Sequence, residues 1–171
     1  FNSDGDFDPY RQEHNDGFDT VEWIAQQDWC DGNVGMIGGS YVGQTQWLTA
    51  SQAPKALKAI VPTCSPPGHP FLNEPFYGGA MLVCVTEWVA IMGRRSFQSS
   101  DFAAVYTKHQ AYFEALPLAK ASDIAGIESP WWDDWLSHPQ FDQYWASHGY
   151  EQFWKKMTVP ALNLTGWWDM N

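Results

Sequence analysis

The sequence predicts an α/β protein whose mostly parallel sheet is interrupted by a long helical insertion. Three observations carry this. Up to residue 65, helical and strand patterns alternate, the order that builds a parallel sheet. From about residue 69 to 157, helical patterns follow one another without strands. Pro160 to Thr165 then reads as one more strand returning to the sheet. The expected organisation is therefore core over 1–68, helical insertion over 69–157 and core again over 158–171.

Residues 1–17 are polar, acidic and rich in turn formers. Asp4, Asp6 and Asp8 resemble the start of a calcium loop, but Pro9 stands where that loop needs glycine and Asn15 where it needs glutamate. An acidic surface loop is the expectation, with no metal. Asp16 and Asp19 suit the opening of a short helix with Val21, Ile24 and Ala25 on its apolar stripe, ending near Trp29. After the turn Asp31-Gly32-Asn33, Val34 to Ile37 reads as a fully buried strand. Tyr41 to about Gln52 is helical in composition and is closed by Ala53-Pro54, after which Leu57 to Val61 forms the next strand. In the insertion, Phe102, Val105, Tyr106, His109, Phe113 and Leu116 keep the spacing of one buried helical face. Ser129-Pro130 pairs a capping residue with a first-turn proline, leading into Trp131, Trp132 and Trp135.

The 171 residues carry 9 Lys and Arg against 20 Asp and Glu, a net charge of −11. That balance, with no basic patch to offset it, argues against nucleic-acid and anionic-membrane partners. The longest apolar stretch, Phe76 to Gly93, contains Glu87 and a glycine pair, and reads as a buried helix rather than a membrane span. Cys30, Cys64 and Cys84 are an odd, widely spaced set that suggests neither a disulfide framework nor a zinc site. The chain opens at Phe1 and stops at Asn171, just after Gly166-Trp167-Trp168, which leads us to expect a piece of a longer protein.

The stretch with chemical content is "VGMIGGSYVG", Val34 to Gly43. A serine hydroxyl is a poor nucleophile until a base takes its proton and a scaffold presents its oxygen. A sharp strand-to-helix turn does the presenting, and its crowding requires small neighbours. Gly38, two residues before Ser40, and Gly43, three after, meet that need. The helix opening at Tyr41 aims its positive end at a reacting carbonyl, and the Tyr41 N–H is placed to donate to an oxyanion, worth about 3 kcal/mol per donor. A glycine-rich turn can also hold phosphates, but the lysine and glycine pattern of a P-loop or dinucleotide site is missing, so no cofactor is expected. Asp169, just past a strand's C-terminal end, is placed on the crevice edge where α/β sites form, fit to hold a histidine tautomer.

"DGFDTVEWIAQQDWCDGNVGMIGGSYVGQTQW", "NEPFYGGA" and "VPALNLTGWWD" together resemble the cocaine-esterase and X-prolyl dipeptidyl-peptidase family of serine hydrolases. The resemblance runs from the loop around Ser3-Asp4-Gly5 to Asp169. It implies a partial α/β-hydrolase fold with a helical cap, followed in family members by a jelly-roll domain. By this similarity Ser40 is the nucleophile, Tyr41 the oxyanion amide and Asp169 the triad acid. Glu74 falls where the α-amino-acid ester hydrolases of the family carry an acid that grips the substrate ammonium. Those enzymes add further carboxylates after the triad acid, whereas here Met170 and Asn171 follow.

The histidine is the gap. α/β-hydrolases order the triad Ser, Asp, His along the chain. His14, His69, His109, His138 and His148 all precede Asp169. The base is therefore expected beyond Asn171, and the family's oxyanion tyrosine before Phe1, leaving the 171 residues alone without turnover. Trp88, Trp131, Trp132 and Trp168 are candidates for lining an acyl pocket, the competing reading for each being core packing. A second class of function, a non-catalytic aromatic-rich binding domain for carbohydrate or peptide, remains open from sequence alone. The expected partners are a small ester, amide or peptide substrate and the rest of the same chain.

Overall fold

The computed structural model describes residues 5–65, 68, 71, 75, 76, 79–93, 99–126, 128–149 and 151–169. They form two compact units, one of Pro9–Asn73 with Gln143–Asn171, the other of Phe1–Asp8 with Glu74–Asp142.

The first unit is α/β. Helix α1 spans Glu13–Ala25, strand β1 Val34–Gly39, helix α2 Tyr41–Ser51 and strand β2 Leu57–Thr63. Helix α1 opens three residues before Asp16, which lies in its first turn, and stops four residues short of Trp29. Between α1 and β1, Gly32 takes φ 84° and the Asn33 N–H donates to Asp31 Oδ1 at 3.0 Å, closing the expected turn. β1 and β2 pair in parallel from Val34↔Leu57 to Gly39↔Thr63, with one register shift after Val34.

Residues 160–164 run alongside β2, also in parallel. The Ile60 N–H donates to Pro160 O, Leu162 to Ile60 O, Leu164 to Pro62 O and Cys64 to Leu164 O, at 2.7–3.1 Å. The bond missing from this alternation is the one residue 62 would donate, and Pro62 has no N–H. The returning segment is therefore two separate bridges, Ile60↔Ala161 and Thr63↔Leu164, rather than an unbroken strand.

Helices α1 and α2 pack on each other and on the strands. They approach closely because Gly17 has no side chain: a Cβ there would lie 1.9 Å from Thr49 Oγ1. The expectation of full burial for β1 does not hold. Its burial alternates, Ile37 being 79% exposed. The helices cover one face, and a strand's side chains alternate between faces.

The second unit is helical: α3 Cys84–Met92, α4 Ser99–Thr107, α5 His109–Phe113, α6 Lys120–Ala125 and α7 Pro130–Ser137. Ala90, Val105, Tyr112 and Ala125 form one core cluster. The single helical face expected over 102–116 breaks at Lys108, whose φ of −104° and ψ of 6° end α4 and begin α5. The break rotates the stripe, so Tyr112 is buried while Tyr106 and Leu116 are exposed. The side chains of Phe102 and His109 lie outside the described residues. Ser129 occupies the position before α7 and Pro130 its first turn, as the sequence predicts, although the Ser129 hydroxyl makes no capping bond. Back in the α/β unit, α8 (Gln143–Ala146) and a 3₁₀ turn over Glu151–Lys156 precede the returning segment. Among the described residues, no helix is long and apolar enough to cross a membrane.

Candidate active site

β1 ends and α2 begins at Ser40, with no loop between them. Ser40 has φ 55° and ψ −130°, a left-handed φ that non-glycine residues adopt at a cost of about 1–3 kcal/mol. Its carbonyl already accepts from Gly43 (2.8 Å) and Gln44 (3.1 Å), while its own N–H donates to Thr63 O at 2.9 Å. Both expected glycines are sterically required. A Cβ on Gly38 would sit 2.6 Å from Val42 Cγ2, and one on Gly43 would sit 2.4 Å from Ser65 Cβ. This is the crowding that a nucleophile elbow imposes. Tyr41 is the first residue of α2, its ring 5.1 Å from that of Tyr10.

The surroundings of the elbow are held by polar side chains inside α2. Gln46 bonds to both strands' neighbourhood: its Nε2 donates to Gly38 O (3.1 Å) and Val42 O (3.0 Å), and its Oε1 accepts from the Val61 N–H (2.9 Å). The Trp47 indole donates to Ser65 O at 3.1 Å, tying α2 to the segment after β2.

Asp169 lies one strand further along. Ser40 is bonded to Thr63, Thr63 is bridged to Leu164, and Asp169 follows a turn closed by its N–H on Gly166 O at 3.1 Å. Ser40 and Asp169 thus share the C-terminal edge of the sheet, with β2 between them. At that edge stands a residue the sequence did not single out, Cys64, half-buried with φ 49°. Its thiol is hydrogen-bonded to the Asp169 carboxylate. That bond, then partial burial, then the carboxylate's charge push its pKa up, while the Thr165 hydroxyl and the Gly166 backbone pull it down. Nothing in the wide spacing of the three cysteines marks Cys64 as part of a site.

The remaining expected site residues are dispersed. Trp168 is 99% exposed beside Asp169. Trp88, Trp131 and Trp132 belong to the helical unit. Trp132 is 0% and Trp131 4% exposed, and Trp131 packs on Trp135 at 4.8 Å between ring centroids. Trp88 is half-buried and stacks on Trp135 at 5.9 Å and 8°. The rings of Trp88 and Trp131 also pack on each other and on Phe7. Glu74 and His69 lie outside the described residues, as does Asp4 of the acidic loop.

Three described histidines are engaged in packing or local bonds. His14 is buried in α1, and burial lowers its pKa against a hydrogen bond to the Arg11 backbone that raises it. His138 Nδ1 meets Asp142 Oδ2 at 2.5 Å, and His148 Nδ1 meets Tyr144 O at 2.7 Å. No group of three or more His, Cys, Asp or Glu among the described residues could hold a metal ion. A cavity of about 290 Å³ in this unit lies at the opposite, N-terminal edge of the sheet, lined by Pro54, Lys55, Leu57, Lys156 and Pro160 among others.

Comparison with known proteins gives a consistent result. The model of the family described as X-Pro dipeptidyl-peptidase (S15 family) matches residues 1–171. The cocaine esterase of Rhodococcus sp. (strain MB1 Bresler) is 35% identical over 185 residues, covering 99% of this chain and 32% of that protein. Among solved structures, a CocE/NonD family hydrolase from Staphylococcus aureus superposes with a TM-score of 0.64 at 25% identity, covering 94% of this chain and 24% of that one. An α-amino acid ester hydrolase gives the same TM-score at 23% identity, covering 97% of this chain and 27% of that one. The chain spans about a third of the length of the curated relative it matches. The fold is α/β-hydrolase-like.

Proposed function

Because the chain belongs to the X-Pro dipeptidyl-peptidase (S15) family of hydrolases, we propose that it carries the nucleophile and the acid of a serine hydrolase cleaving ester or amide bonds. The observation that carries this reading is the strained Ser40, flanked by two glycines that have no room for a Cβ. In the mechanism, Ser40 Oγ attacks the substrate carbonyl carbon as a histidine base takes its proton. The Tyr41 N–H donates to the resulting oxyanion. Collapse expels the alcohol or amine, which receives the proton from the imidazolium, and leaves an acyl-enzyme. Water then attacks that ester by the same route in reverse order. Asp169 holds the imidazole tautomer and stabilises the imidazolium.

The base comes from the remainder of the chain, downstream of Asp169, and the second oxyanion donor from upstream. Supporting this, Ile37, Leu162, Leu164, Trp167 and Trp168 present apolar side chains outward from this unit, a surface suited to further parts of the same polypeptide, a jelly-roll domain among them. In this reading the cap insertion runs over 69–157, its last part, from Gln143 on, packing with the α/β unit. Substrates are small esters, amides or X-Pro peptides. Trp168 lines the acyl side, with Trp88 the better candidate in the cap because Trp131 and Trp132 serve its core. Glu74 holds a substrate α-ammonium.

The test uses the full-length protein with p-nitrophenyl esters and X-Pro p-nitroanilides. Turnover that Ser40→Ala removes is expected, with none from residues 1–171 alone. Ser40-dependent turnover by the 171-residue chain would refute the division of the triad. Glu74→Gln should weaken α-amino substrates selectively, and an equal loss on all esters would refute that role.

A further inference from the structure

Gln46 is 1% exposed in the second turn of α2, six residues after Ser40. A polar carboxamide at so buried a place is costly unless bonded. Here three of its four hydrogen-bonding positions are filled, and the partners are backbone groups of three different elements. Gly38 O belongs to β1, two residues before Ser40. Val42 O belongs to the first turn of α2, two residues after it. The Val61 N–H belongs to β2, whose Thr63 accepts the Ser40 N–H.

We propose that Gln46 is a positioning residue for the nucleophile, its carboxamide clamping both arms of the Ser40 turn to the neighbouring strand. The inference rests on Ser40 being the nucleophile. Its logic is mechanical. A backbone held at φ 55° relaxes unless its surroundings over-determine it. The two glycines remove obstacles to the turn but do not hold it closed. Gln46 bonds the peptides on either side of Ser40 from a single rigid plane, so the two arms cannot open independently. Loss of the clamp lets the turn relax, and a displacement of the hydroxyl by about 1 Å costs about 100-fold in rate.

The experiment uses the full-length protein, Gln46→Met and Gln46→Glu, with a fluorophosphonate as probe. The labelled fraction at completion and the labelling rate constant are measured separately, together with kcat and KM on a p-nitrophenyl ester. For Gln46→Met we expect complete labelling at a rate lower by about 10- to 100-fold, with kcat reduced in proportion and KM within about two-fold. A residue that only supports the fold would give the opposite split, a smaller labelled fraction at the wild-type rate, and that result overturns the proposal. Gln46→Glu supplies a second reading, also decisive should the Met variant fail to fold. A neutral carboxylic acid can donate to one carbonyl and accept from Val61, whereas a carboxylate opposes the oxygens of Gly38 and Val42. The labelling rate of Gln46→Glu relative to wild type should therefore rise as pH falls. A ratio flat with pH contradicts the clamp. Wild-type label found at a residue other than Ser40 would instead bring down the nucleophile assignment beneath it.

Discussion

The α/β unit and the helical unit are held together by different means. In α2 the buried positions include Gln44, Gln46, Thr49 and Ser51; Thr49 and Ser51 bond back within the helix, to Thr45 O (2.7 Å) and Leu48 O (2.6 Å), whereas Gln46 ties α2 to β1 and β2 at 3.1 and 2.9 Å. In the helical unit, beside the Ala90, Val105, Tyr112 and Ala125 core, lies a cluster of rings, Phe7, Trp88, Trp131 and Trp135, at centroid distances of 4.8–6.3 Å. Hydrogen bonds are directional and fix a backbone to within tenths of an ångström, whereas ring packing fills volume and tolerates small rotations. The first suits the strained turn at Ser40. The second suits a unit whose requirement is bulk. Loss of Asp169 or Gln46 should therefore register first in rate, and loss of a buried ring in the helical unit in stability.

The largest expected effect belongs to the edge of the sheet. Asp169→Asn in the full-length protein should lower kcat by about 10⁴-fold, as loss of the orienting carboxylate does in a Ser-His-Asp triad. The same change removes the group that holds the Cys64 thiol pKa up, so iodoacetamide should alkylate Cys64 faster near pH 8. An unchanged alkylation rate would mean that thiol and acid do not meet. Trp132→Ala should then destabilise the protein by about 3–5 kcal/mol, read by urea unfolding, with the fluorophosphonate rate per folded molecule unchanged. A fall in that rate at full labelling would erase the division between the two regions.

Gly43→Ala is smaller, about 1–3 kcal/mol, because its Cβ must displace Ser65. Adding Ser65→Gly should restore much of the loss, and a double variant no better than the single one would place the strain elsewhere. The smallest effect is His14. Its folded-state pKa is below the usual 6.5, so near and below pH 6.5 the unfolded chain binds more protons than the folded one. Stability should accordingly rise with pH through that window and level off above it. His14→Gln should flatten the slope between pH 5 and 7; an unchanged slope would assign it to other groups.

How much of this was legible beforehand follows the same contrast. The elbow was readable because Gly38, Gly39, Gly43 and Ser40 are punctuation, residue types whose backbone demands show in sequence. β1 and α2 therefore began where expected, at Val34 and Tyr41, and both strands proved two residues longer than read. Gln46 was not readable, since a glutamine in a helix resembles a surface residue until tertiary contacts bury it. Nor was the break at Lys108, because residues 102–116 keep a helical period straight through it. Pro62 could have been read as a gap in the pairing of 160–164, had the partner strand been known.

The most direct test is to treat the full-length protein with a fluorophosphonate and map the modified residue by peptide mass spectrometry. One adduct per molecule, on Ser40 and lost in Ser40→Ala, is the outcome this account predicts. An unlabelled protein that nevertheless hydrolyses esters, or label on another residue with Ser40→Ala still active, would contradict it.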